Sequence, residues 1–178
     1  MTRCRIPALF CMSQKILSLL FAQKSWANRE LFDAVGGVTQ ADNEAAQHTA
    51  IRTLNHIHVV DRIFRAHLLG QKHSYTATNT TETPELGKLH LEVAETDLWF
   101  EDYVSKVDDA AMADSLHFQF TDGDRGTMSR EEMLFHVLTH GAYHRGNVGQ
   151  VLKGLSVAQP RDLLTKFLHV QEPSRRQG

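Results

Sequence analysis

Apolar residues recur at three- and four-residue intervals over four stretches of this chain, each long enough for about five helical turns, and that pattern leaves few folds open. The first stretch has Ser13 as its expected N-cap. It carries Ile16, Leu19, Leu20, Trp26, Ala27, Leu31 and Val35 before the Gly36-Gly37 stop. Val38 to Gln47 is polar and reads as a loop. The second stretch starts near His48 or Thr49 and runs through Ile51, Leu54, Ile57, Val60, Ile63, Phe64 and Leu68 to Leu69, with Gly70 as its stop. Gln71 to Thr83 is rich in Thr and Asn and has no period, so it reads as a long connection of the kind that is often functional or mobile.

Thr83-Pro84-Glu85 opens the third helix, with proline expected at the first helical position, and Leu86, Leu89, Leu91, Val93, Leu98, Trp99, Phe100 and Val104 carry it to about Val107. The character then changes. Leu116, Phe118 and Phe120 alternate with His117 and Gln119, and the following Thr121–Gly126 segment has turn chemistry, which predicts a short hairpin-like excursion. Ser129 and Glu132 form a capping box that opens the fourth long helix, expected to end near Lys153 with Gly154 as its stop. A short last helix is expected over Asp162 to His169. Four long amphipathic helices in 178 residues predict an all-α four-helix bundle with that excursion before the last long helix.

The domain is expected to span residues 13–170. Residues 1–12 read as disordered or as preceding a true start at Met12, and residues 171–178 read as a flexible tail. The only two cysteines, Cys4 and Cys11, make neither a disulfide framework nor a CxxC redox site. The apolar run around Phe10 is too short for a signal peptide, and no stretch approaches a membrane span. A cytoplasmic protein is expected. A net charge of −2 supplies no field for nucleic acid or an anionic membrane, and Arg175-Arg176 reads as a frayed end.

Eleven histidines are many for this length. Three of them, His136, His140 and His144, lie at four-residue intervals on the fourth helix. Residues four apart share a face one turn apart, so neighbouring pairs can converge on one cation. His136 and His144 are about 12 Å apart along the axis and cannot share an ion bound at ~2.0–2.1 Å. His140 therefore belongs to either pair, and one outer histidine is left over. The spacing matches the HExxH zinc-protease motif, but Gly141 occupies the place of the catalytic Glu, which excludes that reading. A third ligand must come from another helix, and the second helix offers His56 and His58, which point to opposite sides. His117 reads as the polar face of the excursion. His48, His67, His73, His90 and His169 read as surface or loop residues, and Trp26, Trp99 and the phenylalanines as core.

The segments Trp26-Ala27-Asn28-Arg29-Glu30-Leu31, Leu54-Asn55-His56-Ile57-His58-Val59-Val60-Asp61-Arg62 and His136-Val137-Leu138-Thr139-His140-Gly141-Ala142-Tyr143-His144-Arg145-Gly146 resemble the DinB-like (DinB/YfiT) family over about residues 13–170. The resemblance implies a four-helix bundle with a three-histidine metal site, and carried over onto this sequence the ligands are His56, His140 and His144. At Asn147, where many relatives have Gln, this chain departs from the pattern. Some members of the wider family are S-transferases or isomerases that use a low-molecular-weight thiol. The resemblance thus implies one divalent ion, Zn or Ni, and transfer of a small thiol to an electrophilic substrate. Tyr143, Arg145 and Asn147 are candidates for orienting that substrate, although Arg145 also suits an ion pair with Asp61. The alternatives are metal-dependent hydrolysis of small esters or amides and a non-catalytic, stress-associated metal-binding protein. The successive Leu98, Trp99 and Phe100 expose apolar surface on more than one face of the third helix, so a homodimer is expected.

Overall fold

A computed structural model describes residues 7–38 and 43–176. Helix α1 spans Pro7–Gly36, α2 Glu44–Leu68, α3 Leu86–Lys106 and α5 Arg130–Gly154. A one-turn helix α4, Asp109–Met112, and a hairpin of β1 Ser115–Gln119 and β2 Arg125–Ser129 stand between α3 and α5. Helix α6, Leu164–Gln171, and a 3-10 turn at Pro173–Arg175 close the chain. The class is all-α, and the four long helices are the four periodic stretches. Helix α1 packs against α3 and α5, and α2 packs against the same two. The consecutive helices α1 and α2 thus lie across the bundle's diagonal.

Several boundaries differ from the sequence expectation. Helix α1 begins at Pro7, not at a Ser13 cap, so residues 7–12 are helical where disorder was expected. Proline at a first helical position loses no hydrogen bond, because that N–H has no intrahelical partner. The disorder expected for residues 1–6 and the end of the tail at 177–178 lie outside the described residues. Helix α2 starts at Glu44, inside the segment read as loop; that segment's residues 39–42 also lie outside the description. At α3 the cap is Glu85, whose carboxylate accepts from the N–H groups of Gly87 and Lys88, and Pro84 precedes the cap. Helix α6 starts two residues later than expected, which leaves Asp162 outside it. The four-residue α4 was not anticipated. Its Asp108 cap accepts from the Ala111 N–H.

The hairpin pairs Ser115 with Ser129 through Gln119 with Arg125. Phe118 lies opposite Gly126, where an added Cβ would stand 2.6 Å from the Phe118 ring. Only glycine leaves room for that ring. Ser129 ends β2 and caps α5 at once, with both halves of the capping box present. Hairpin and helix are joined without a linker, which fixes where α5 begins.

The core has an unexpected polar layer. On α1 the buried stripe runs Leu17, Phe21, Lys24, Asn28, Leu31 and Val35 at intervals of four and three, whereas Ile16 is exposed. Above and below the polar pair sit two apolar clusters, one around Phe21, Phe64, Phe100 and Val137, the other around Leu31, Leu54, Leu89 and Val148. Between them Lys24 Nζ lies 2.8 Å from Asp61 Oδ2 and 2.5 Å from Asp97 Oδ1. Asn28 donates to Asp97 Oδ2 at 2.7 Å. The Arg145 guanidinium donates to Asp162 Oδ2 at 2.7 Å and reaches Asn28 Oδ1 at 3.4 Å, and Gln23 donates to the other Asp162 oxygen. This layer ties together all four long helices. The expected Arg145–Asp61 pair does not form: Asp61 belongs to Lys24, and Arg145 to Asp162. Burial pushes Asp61 up to about 6 against the pull of Lys24, while the two carboxylates raise Lys24 against its own burial.

Candidate metal centre

The groove between α2 and α5, on the opposite side of α2 from Asp61, holds the histidines. The two helices run antiparallel there, with His56 beside His140 and Phe64 beside His136. His56, His140 and His144 each offer a ring nitrogen, and these nitrogens lie within 4.8 Å of one another. Among the described residues this is the one group of three or more such side chains, and it contains no carboxylate or thiol. The ring centroids are 4.9 Å apart for His56–His140, 4.6 Å for His56–His144 and 4.5 Å for His140–His144.

The second helix therefore contributes His56. His58 points into the bundle, where it is buried with Nδ1 unpartnered. Its Nε2 stands 3.7 Å from Glu92, but burial holds the ring near pKa 4, so it is neutral and the contact is not an ion pair. His136, the outer histidine of the row, stacks on His140 at 5.4 Å and on Phe64 at 4.5 Å, and it is not in the group of three.

Two observations bear on whether the trio fits a metal. His56 Nε2 and His140 Nε2 are 3.0 Å apart. Two nitrogens on one ion at ~2.0–2.1 Å, separated by an angle near 90–110°, stand ~2.9–3.4 Å apart. His56 Nδ1 lies 2.7 Å from the carbonyl oxygen of Thr78. A carbonyl can only accept, so Nδ1 carries the proton and Nε2 presents its lone pair to the trio. Such an outer partner is what orients a ligating imidazole. Thr78 is itself held. Asn55, buried on α2, donates to Asn79 and to the Thr80 hydroxyl, and Asn79 donates back to the Arg52 carbonyl at 3.0 Å. The long connection is thus tied to α2 where it supports His56.

The charge state also fits. Burial, then the neighbouring His144, His56 and His136, push His140 down to about 3, and burial followed by His56 lowers His144. A neutral imidazole is the form that ligates. His140 Nδ1 is buried without a partner, so that ring is oriented by packing between its neighbours.

Gly141 explains why no HExxH base exists here. A Cβ at this buried position would stand 3.0 Å from the Arg145 guanidinium and 3.8 Å from Lys24 Cε, so the residue after His140 faces the polar layer, not the groove. Arg145 follows His144 in the same way and is buried in that layer. Tyr143 is 69% exposed, with its ring edge-on to His144 at 5.0 Å. Asn147 is exposed one turn beyond His144.

Sequence reasoning missed Thr78, Asn79, Lys24 and Asp97. A signal existed for Lys24, which falls on the apolar stripe of α1, but none for Thr78, whose contribution is a backbone carbonyl. Among the described residues no helix is long and apolar enough to cross a membrane. No curated protein and no solved structure matches the chain. A family model described as the DinB family matches residues 12–176, and on that match, across nearly the whole sequence, the chain belongs to the DinB family.

Proposed function

We propose that His56, His140 and His144 hold one divalent ion, Zn or Ni, with a position left open, and that the protein transfers a low-molecular-weight thiol to an electrophilic small molecule. The observation that carries this reading is the approach of three ring nitrogens to within 4.8 Å of one another, with His56 locked by the Thr78 carbonyl. Imidazole donors suit Zn and Ni. When bound, the ion supplies positive charge that three neutral ligands do not cancel, and so lowers the pKa of a thiol in the open position.

The chain's own residues do the rest. Thr78 fixes the tautomer of His56, and burial keeps His140 unprotonated at neutral pH. Tyr143 stands beside His144 at the exposed side of the groove, where an incoming molecule would meet it, and Asn147 lies on the same face. Arg145 is structural: its guanidinium is engaged by Asp162 and Asn28.

Loading the protein with Co(II) tests the reading. Addition of a small cellular thiol is expected to produce sulfur-to-metal charge-transfer bands, and His144→Ala to abolish both the bands and thiol transfer. No spectral change with any cellular thiol, together with hydrolysis of small esters, would establish the hydrolase instead. Neither response would leave a non-catalytic metal-binding protein.

We also infer a twofold dimer formed on α3. Leu91 and Leu98, seven residues apart on one helical face, are 75% and 64% exposed. Sedimentation at micromolar concentration is expected to give twice the 20.1 kDa chain mass. A single monomeric species would remove the idea.

A further inference from the structure

The connection between α2 and α3 contains no helix or strand from Gln71 to Glu85, yet one of its carbonyls fixes how His56 meets the trio. A backbone oxygen on such a segment keeps its place only if something else holds the segment. One turn of α2 does so. Arg52, Asn55 and His56, spaced by three and four residues from Arg52, share the helical face that meets the connection. Asn55 is 3% exposed, between the core residues Leu54 and Ile57. Its Nδ2 carries two N–H groups. One is donated to Asn79 Oδ1 and the other to the Thr80 hydroxyl, the latter at 2.6 Å. Both donors of a buried amide are thus directed at the connection.

Asn79 and Arg52 complete the clasp. Asn79 Nδ2 donates to the Arg52 carbonyl at 3.0 Å, and Asn79 Oδ1 also accepts the Thr80 N–H at 3.0 Å. That Arg52 carbonyl lies four residues before His56, the position that accepts the His56 N–H within a helix. The Arg52 guanidinium donates to the carbonyls of Thr80 at 2.7 Å and Glu82 at 3.2 Å, and the Thr80 hydroxyl donates to the Glu82 carbonyl at 2.6 Å. With residues 79–82 pinned in this way, Thr78 brings its carbonyl to 2.7 Å from His56 Nδ1. An apolar side chain at position 55 would suit the core without any need of partners. It would not hold residues 79 and 80.

We propose that Asn55 is a positioning residue for the trio. Acting through Asn79 and Thr80, it holds the Thr78 carbonyl on His56 Nδ1 and so keeps the His56 Nε2 lone pair turned toward His140 and His144. Its effect on ion affinity rests on the reading of the trio as a metal site; its hold on the His56 tautomer does not. The hydrogen bond made by one ring nitrogen of a neutral histidine sets which of the two carries the proton. Without the Thr78 carbonyl the ring shares its proton between Nδ1 and Nε2. Every molecule protonated on Nε2 then presents an N–H to the trio in place of a lone pair, and cannot ligate through that atom.

Nitrogen-15 NMR of the full chain, freed of metal by a chelator and held at about pH 8, above the ordinary histidine range, reads the tautomer of the neutral rings. The His56 signals, identified by their absence in His56→Gln, are expected to show the proton on Nδ1. In Asn55→Ala and in Asn79→Ala that preference is expected to be lost. Zn(II) affinity, measured by competition with a chromophoric chelator, is expected to fall about tenfold in each variant, the lower end of what outer partners of a ligand contribute. The double variant is expected to lose far less than the product of the two, because both residues act through one clasp. Thr53→Ala, whose hydroxyl bonds the Thr49 carbonyl of its own helix at 2.9 Å, is expected to change neither readout. Asn79 lies on the connection, outside the core, so its variant decides the matter if loss of the buried Asn55 amide unfolds the chain. An unchanged His56 tautomer in Asn79→Ala would overturn the proposal, and so would a lost tautomer preference with undiminished Zn(II) affinity. A chain that binds no Zn(II) yet shows the tautomer change would refute the metal reading and leave the hold of Asn55 on His56 standing.

Discussion

Replacing His140 with alanine is expected to reduce affinity for a divalent ion by more than about 100-fold, since even loss of an outer-shell partner costs roughly 10–100-fold and His140 is a direct ligand of the proposed site. The same loss is expected for His56→Ala and His144→Ala. His140 is the central member: its Nε2 stands 3.0 Å from that of His56 and its ring 4.5 Å from His144. His136→Ala is the informative control. His136 shares the four-residue spacing and touches His140, yet it lies outside the group of converging nitrogens. It is expected to retain the ion within about threefold, a change of well under 1.4 kcal/mol. Metal content after equilibrium dialysis of the four variants measures this. Loss of metal in His136→Ala and His140→Ala, with full metal in His144→Ala, would show that the other pair of the row carries the site.

The second large effect is on stability. Lys24→Met is expected to destabilise the fold by about 3–5 kcal/mol, because removing one partner of a buried ionic group leaves the other uncompensated. Here two carboxylates lose their shared cation, Asp61 and Asp97. Methionine fills most of the space of the lysine stem, so the deficit reports charge more than volume. Its pH dependence separates the two. Asp61 already sits near pKa 6 in the folded chain, above its ordinary value of 3.8, and loss of Lys24 raises it further. A carboxyl with a raised folded pKa binds more protons folded than unfolded between the two values, so the variant's stability falls as pH rises through that window. The deficit is therefore expected to be largest at neutral pH and to shrink as pH is lowered toward about 5. Denaturant titrations of both proteins across that range check it. A deficit independent of pH would assign the effect to packing.

The helices were legible because their apolar residues repeat at the helical period and because caps are local chemistry. Ser129 and Glu132 mark the start of α5 without reference to anything distant. Boundaries failed where the terminus is set by tertiary contact or where a weak local signal was over-read, as with Ser13 in the interior of α1 and Pro84 ahead of the Glu85 cap. The trio was legible in part. Four-residue spacing presents His140 and His144 together, but only the fold distinguishes His56 from His58, two residues apart and on opposite faces of α2. The polar layer escaped notice because a lysine and an asparagine on an apolar stripe look like interruptions until Asp61, Asp97 and Arg145 arrive from three other helices. The carbonyl of Thr78 carries no side-chain signature at all.

The polar layer also bears on the alignment of the helices. Leucine, valine and phenylalanine recur every turn along α2 and α5, so the two apolar halves of the core would tolerate α2 sliding by one turn, about 5.4 Å, with modest repacking. The charged layer would not. That slip carries Asp61 away from Lys24, which leaves the Asp61 carboxylate without its cation inside the bundle and Lys24 with Asp97 alone. The same slip parts His56 from His140. A row of charges that takes no part in the chemistry thus acts as a key for helix register, holding together nitrogens that belong to two different helices.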